Sequence, residues 1–281
     1  MEEATVDQWK LAAETYEKSS KTATTKPTDI LLERLNIRFP FAQASGILDD
    51  GCGPGSCMSR LIKTYGQDIS PSCTLICSDW APSMIQQVNN AKDQSLGLLP
   101  DSAWSRVDAR VLDAMDLNSV ADESLSHVMA GWVFHMTHNP QKCLSEARRV
   151  LKSGGVLGVA SWKETQWLDA MKPIKKLKPE LSPPTGSGQF ASPSGLSLEL
   201  KRAGFSKVEL QEIDVELPFE SHALFIDMLL TRMPPLVAIM KGFSTQQKED
   251  LRYLMTNEIQ KLCPQEPGFL KGIALVAIST R

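Results

Sequence analysis

The spacing of hydrophobic positions changes along this chain, and the changes mark its elements. Over residues 5–18, Trp9, Ala12, Ala13 and Tyr16 recur at helical spacing, which predicts an amphipathic helix. A second helix is predicted to start at Pro27, a residue suited to a first helical turn, and to carry Ile30, Leu31, Leu32 and Leu35. From residue 46 the pattern becomes short apolar runs alternating with helical segments. Strands are predicted at 46–49, 74–79, 110–112, 126–130 and 156–162, and helices at 56–65, 82–91 and 139–151. Asn139 serves as the N-cap of the last helix, ahead of Pro140. Continuous apolar strands separated by helices predict an α/β fold with a parallel sheet covered on both faces. Later, residues 208–217 alternate polar and apolar as a half-buried strand does, and 272–279 form a last apolar strand. Two regions interrupt the scheme. Residues 163–195 hold Pro179, Pro183, Pro184 and a Thr-Gly-Ser-Gly loop at 185–188; residues 218–268 are helical and Met-rich. Both are predicted to cover the carboxyl edge of the sheet, where open α/β sheets bind ligands.

Composition narrows the picture. The 281 residues are 42% hydrophobic, enough for one large domain with elaborations that needs no covalent staples. The net charge is −3, and the densest basic stretch is Lys172, Lys175, Lys176 and Lys178. That stretch reads as a solvated helix face, so a nucleic-acid partner is not expected. The start, Met1 to Ala4, is acidic and has no apolar run, so no secretory signal is expected. No run reaches the roughly 18 apolar residues a membrane helix needs. The six cysteines (Cys52, Cys57, Cys73, Cys77, Cys143 and Cys263) form no CxxC pair and have no His at zinc-finger spacing, so no metal site is expected. Scattered thiols suit a cytoplasmic protein.

The chemically informative segment is Leu48-Asp49-Asp50-Gly51-Cys52-Gly53-Pro54-Gly55. Glycines at alternate positions let the chain turn sharply out of a strand and let a ligand approach bare backbone at the next helix N-terminus. The dinucleotide fingerprint GxGxxG needs a sixth-position glycine, and Ser56 stands there, which disfavours an NAD dehydrogenase. Asp79 ends the second strand, where a carboxylate can accept from both hydroxyls of a ribose; that indicates a nucleoside without saying which. Trp80 and Met84 follow and can pack on an adenine face, with plain core packing the alternative for Met84. Asp113, just past the third strand, can accept from an exocyclic amine or can be an ordinary cap or turn residue.

These segments together resemble the class I S-adenosylmethionine (SAM)-dependent methyltransferases of the ubiquinone and menaquinone biosynthesis type. The resemblance is carried by Leu48 to Gly55, by Asp79 with Met84, by Asp113 to Leu117, and by Arg149-Val150-Leu151-Lys152-Ser153-Gly154-Gly155. Ala203-Gly204-Phe205 adds a further match, and the whole spans about residues 40–215. It implies a Rossmann-like, mostly parallel seven-stranded sheet with the last strand antiparallel. The implied organisation is an N-terminal helical lid at 1–40, a SAM-binding domain at 41–217 and 269–281, and a helical cap at 218–268. It further implies that Asp49 and the loop of Gly51, Cys52, Gly53 and Gly55 hold the methionine part of SAM. Asp79 would bind the ribose, Asp113 and Ala114 the adenine, and Gly131 would line the path to the sulfonium. Asp50 departs from the family, which usually has an apolar residue there.

Methyl transfer from a sulfonium is an in-line displacement with an activated donor, so the protein mainly aligns the reactants, worth roughly 7–11 kcal/mol. A thiol acceptor, with a pKa of about 8.5, needs little help from a base, whereas an alcohol or phenol needs more. Of the four histidines, His127 lies inside the fourth strand and reads as structural. His135, in Gly131-Trp132-Val133-Phe134-His135, is the candidate base, ahead of His138 and of His222 at the start of the cap. Gly-Trp after the fourth strand replaces the Asn/Asp-Pro-Pro-aromatic motif of nucleic-acid and protein amide methylation. The acceptor site is expected from Trp9, Tyr16, Trp132, His135, Trp162 and Trp167 with Phe225, Met228 and Met233 of the cap, and apolar walls suit a small organic molecule. Loosely, the chain is also similar to fungal secondary-metabolism methyltransferases such as the gliotoxin dithiol S-methyltransferase, which implies a thiol acceptor. The alternatives are C-methylation of a quinone precursor and a SAM-binding enzyme or partner protein that transfers no methyl. A monomer or a homodimer fits equally.

Overall fold

The computed structural model describes residues 6–181 and 188–281, with side chains from residue 22 onward except at 234 and 235. Pro183, Pro184 and most of the 185–188 loop lie outside the described residues, as do the side chains of Trp9 and Tyr16.

α1 (Val6–Arg38) runs unbroken through Pro27, where the sequence pattern predicts two helices. Proline removes one intrahelical donor. Tertiary packing offsets that loss: Pro27 and Thr28 are buried, and Leu31, Leu32 and Leu35 are fully buried. A Cβ on Gly158 would stand 2.8 Å from Leu31 Cδ1, so α1 lies directly on the sheet.

The alternating region follows as β1 (Gly46–Asp50), α2 (Ser56–Tyr65), β2 (Thr74–Asp79), α3 (Pro82–Leu98), β3 (Val107–Val111), β4 (Leu125–Gly131), α4 (Pro140–Val150) and β5 (Leu151–Thr165). Short helices α5 (Gln166–Asp169) and α6 (Ile174–Leu177) and then α7 (Pro193–Arg202) lead to β6 (Ser206–Phe219). The helices α8 (His222–Arg232), α9 (Pro234–Met240) and α10 (Thr245–Leu262) then precede β7 (Gly268–Thr280). Asn139 caps α4 by accepting from Lys142 N, as expected. β3 begins three residues before the predicted run, because its Asp108 and Arg110 pair with each other (2.6 Å) on the exposed edge strand and mask its apolar pattern.

The seven strands among the described residues form one sheet in the order β3-β2-β1-β4-β5-β7-β6. The first five are mutually parallel, and β7 runs antiparallel to both β5 and β6, the arrangement the family resemblance implies. Alternate residues build two cores. Ile47, Leu75, Cys77 and Met129 face α1, α2 and α3, whereas Leu48, Ile76, Val128 and Ala130 face α4 and α7. The strand order reverses between β1 and β4, and the carboxyl ends of those two strands therefore form a crevice at the topological switch point. Asp49 and Asp50 stand at its floor on opposite faces of β1.

Candidate active site

The turn leaving β1 is built from backbone. Gly51, Gly53 and Gly55 have φ of 65°, 54° and 85°, in the left-handed region that glycine enters without a Cβ penalty. At Gly51 space also forbids a side chain: a Cβ would stand 2.3 Å from Val133 Cγ2, in the loop that leaves β4. Around Gly53 and Gly131 a Cβ would meet nothing within 4 Å, so the crevice is open where these two glycines face it. Cys52, itself buried, donates its N–H to Ser78 O (2.8 Å) and ties the turn to β2.

Three carboxyls hold this turn. Asp49 Oδ2 accepts from Met58 N (3.0 Å) and fixes the start of α2. Asp79 accepts from Gly53 N through Oδ2 (2.9 Å) and from Ala81 N through Oδ1 (2.9 Å), bridging the turn and the N-terminus of α3. Asp50 accepts from Ser78 Oγ (3.0 Å) through one oxygen, while its other oxygen is buried with no partner. Burial pushes Asp49 and Asp50 up to about 7, and it raises Asp79 as well, though amide bonds from Ala81 and Gly53 oppose the rise there.

The other predicted cofactor residues gather on the same edge. Trp80, after β2, is 38% exposed, while Met84 is buried and packs with Ala81. Past β3, Asp113 is exposed and its Oδ1 accepts from Met115 N (2.8 Å), the role of a turn residue. Ala114 beside it is buried. This edge presents bare backbone beside a strand-end carboxylate, followed by a half-exposed indole and a second carboxylate. The arrangement can hold an amino-acid tail, a ribose and a purine in that order.

The remaining part of the edge is aromatic. Trp132 follows Gly131 with φ 58°, a conformation L residues rarely adopt, and its N–H donates to Ala160 O (2.8 Å). Its ring lies 5.3 Å from that of Trp162, which meets Trp167 edge-on at 5.1 Å. Trp132 Nε1 is buried with no partner, a donor available to a ligand. Phe225, Met228 and Met233 pack on the same apolar cluster as these indoles. His135 lies toward the other core, 6.4 Å from the Phe190 ring, with Nδ1 buried and unpartnered. Burial holds its pKa down at about 4, so the imidazole is neutral.

The other histidines differ. His127 is buried between Ser126 Oγ (2.8 Å) and Phe39 O (2.8 Å), the structural role its sequence position suggests. His222 is held by Glu266 and Cys263 O rather than facing the crevice, and His138 is exposed. Two partners escaped the sequence reading: Val133, which lies against Gly51, and Ser78, which satisfies Asp50. The parallel register that sets Asp50 opposite Ser78 was the available signal. Among the described residues no three His, Cys, Asp or Glu side chains gather as metal ligands, and no helix is long and apolar enough to cross a membrane.

A methyltransferase domain model matches residues 48–159. The methyltransferase ucsB of Acremonium sp is 41% identical over 275 residues, which cover 98% of this chain and 95% of that protein. The methyltransferase tpcH of Aspergillus fumigatus is 26% identical over 247 residues, 82% of this chain and 83% of that one. Among solved structures, Haemonchus contortus phosphoethanolamine N-methyltransferase 2 in complex with S-adenosyl-L-methionine matches with a TM-score of 0.52. At 15% identity, over 90% of this chain and 52% of that one, the likeness is one of fold, and this chain spans about half that protein's length.

Proposed function

Because this chain belongs to the class I SAM-dependent methyltransferases, we propose that it methylates sulfur or oxygen of a small organic acceptor, a thiol or phenol of secondary metabolism. The observation that carries the reading is the crevice itself: Asp49, the Gly51–Gly55 turn and Asp79 joined by main-chain hydrogen bonds at the switch point. The open faces of Gly53 and Gly131 give a ligand room against main chain, so the residues present fit SAM.

Bound SAM supplies an activated methyl group on a positively charged sulfur. The chain does the rest. Gly51, Cys52, Gly53 and Gly55 with Asp49 hold the methionine end; Asp79 accepts from the ribose hydroxyls; Trp80, Met84, Asp113 and Ala114 frame the adenine. Gly131 leaves the methyl path clear because it carries no side chain. Trp132, Trp162 and Trp167 form an apolar wall that orients the acceptor and excludes water, and the segment 218–268 caps it while the N-terminal segment 1–40, with Trp9 and Tyr16, acts as a lid. His135 is the candidate base, but an imidazole held at about 4 removes a proton weakly. A thiol, which needs little help, therefore suits this site better than an alcohol. The six thiols, all free, suit the cytoplasm.

The test is a screen of thiols and phenols with methyl-labelled SAM, reading S-adenosylhomocysteine and mapping the label. Label on sulfur or oxygen is expected. Label on carbon replaces the S/O assignment with C-methylation, and binding of SAM with no S-adenosylhomocysteine from any acceptor overturns methyl transfer.

A further inference from the structure

Asp50 is the one ionisable residue of the β1 turn that the cofactor reading does not use. It is fully buried at the carboxyl end of β1, directly before Gly51, on the α4 face of the sheet. Of its two oxygens, one accepts from Ser78 Oγ and the other makes no well-formed hydrogen bond, although the adjacent Gly51 amide favours the ionised carboxylate to a small degree. Asp49 and Asp79 are instead anchored by backbone amides. A buried carboxyl with an unsatisfied oxygen opposes folding, so its presence beside the crevice asks for a partner that the polypeptide does not supply.

The charges around Asp50 indicate what that partner is. On its own strand Asp49, pointing to the opposite face, repels it through space; from β2 come Asp79 and the neutral Ser78, and from the β3–β4 connection Asp113. From α4 comes Cys143, whose thiol burial pushes up to about 12 and keeps neutral. The charged neighbours are thus all acidic, and each raises the cost of ionising Asp50. The missing charge is positive. SAM brings one positive charge at sulfur that S-adenosylhomocysteine lacks.

We infer that Asp50 is a buried charge sensor of the crevice, a specificity-determining residue that favours the cationic sulfonium donor over the neutral thioether product. The inference rests on the reading of the Gly51–Gly55 crevice as the SAM site. Asp50 holds a proton more readily while the crevice lacks a cation, and gives it to solvent when the sulfonium enters. When the methyl leaves, the thioether no longer favours the ionised carboxylate, the proton returns, and product binds less tightly than donor.

The experiment is titration calorimetry of SAM and of S-adenosylhomocysteine with the whole chain, from roughly pH 6 to about 8.5, in buffers of different ionisation enthalpy. For the wild type the preference for SAM is expected to grow about 3- to 10-fold over that range, with more protons released by SAM than by product. Asp50→Asn keeps an acceptor for Ser78 and removes the charge. It is expected to abolish most of that growth and most of the extra proton release, and to melt no lower than the wild type. A merely structural carboxylate predicts a lower melting temperature and an unchanged preference, and that result overturns the proposal. Should Asp50→Asn fail to fold, Ser78→Ala serves: losing the hydroxyl shifts the pH midpoint of the preference upward, and an unmoved midpoint counts against the sensor. Asp79→Ala tests the underlying site separately. If it binds SAM normally, the site is misplaced; if it loses SAM while Asp50→Asn keeps the wild-type preference, the sensor alone is wrong.

Discussion

The two halves of the crevice are made from different materials. On the β1–β2 side the main chain does the work: glycine dihedrals, amides donating to Asp49 and Asp79, and a turn whose shape is fixed by the covalent chain. On the β4–β5 side the surface consists of side chains, three indoles in a row with Phe225, Met228 and Met233 in the same apolar cluster. Backbone geometry of this kind admits few substitutions and serves a ligand that never changes. Side-chain walls can be repacked without moving the sheet, and they suit the part of the reaction that differs from one relative to another.

That contrast can be broken most forcefully at Asp79. Asp79→Ala removes the acceptor of two amides and, with it, the proposed ribose contact, and SAM affinity by calorimetry should fall about 100-fold or more. The glycines come next. Gly51→Ala combines a positive φ with a clash against Val133 and should cost about 2–4 kcal/mol in denaturant melts. Gly53→Ala carries the positive φ but has open space around it, so it should cost only about 1 kcal/mol of stability while weakening SAM binding by more than that. On the aromatic side, Trp162→Ala should leave SAM affinity within about twofold and lower kcat/KM for the acceptor by roughly 10- to 30-fold. A comparable loss of SAM affinity in that variant would erase the distinction between the halves.

The smallest expected effect is a pH dependence. Asp49 and Asp50 rise from 3.8 to about 7 on burial, so between those values the folded chain holds more protons than the unfolded one. Their contribution to stability is fully present below about pH 4 and is lost as pH climbs through about 7. The melting temperature without ligand should fall by several degrees between about pH 5 and about pH 8, and SAM should offset the fall more than S-adenosylhomocysteine does.

The legibility of the fold follows the same division. β1, its glycine turn and Asp79 are local patterns, a run of apolar residues with punctuation, and the sequence displays them without reference to the rest of the chain. The unbroken α1 could not be read that way, because what carries the helix through Pro27 is packing of Leu31, Leu32 and Leu35 on a strand more than a hundred residues away. The edge strand β3 was partly hidden because its Asp108–Arg110 pair breaks the apolar run. In the site, the positive φ of Trp132 has no sequence signature, since nothing in an indole announces it; the conformation is held by a bond to Ala160 on the next strand. Asp50 was visible as an oddity, yet its bond to Ser78 and its bare oxygen emerge only when β1 and β2 lie side by side.

The most direct measurement is a crystal structure of the chain grown with S-adenosylhomocysteine. The account predicts the amino-acid tail against Gly53, the ribose hydroxyls on the Asp79 carboxylate and the adenine between Trp80 and Ala114. The same ligand found elsewhere, with the Gly51–Gly55 turn closed over an empty crevice, would contradict it.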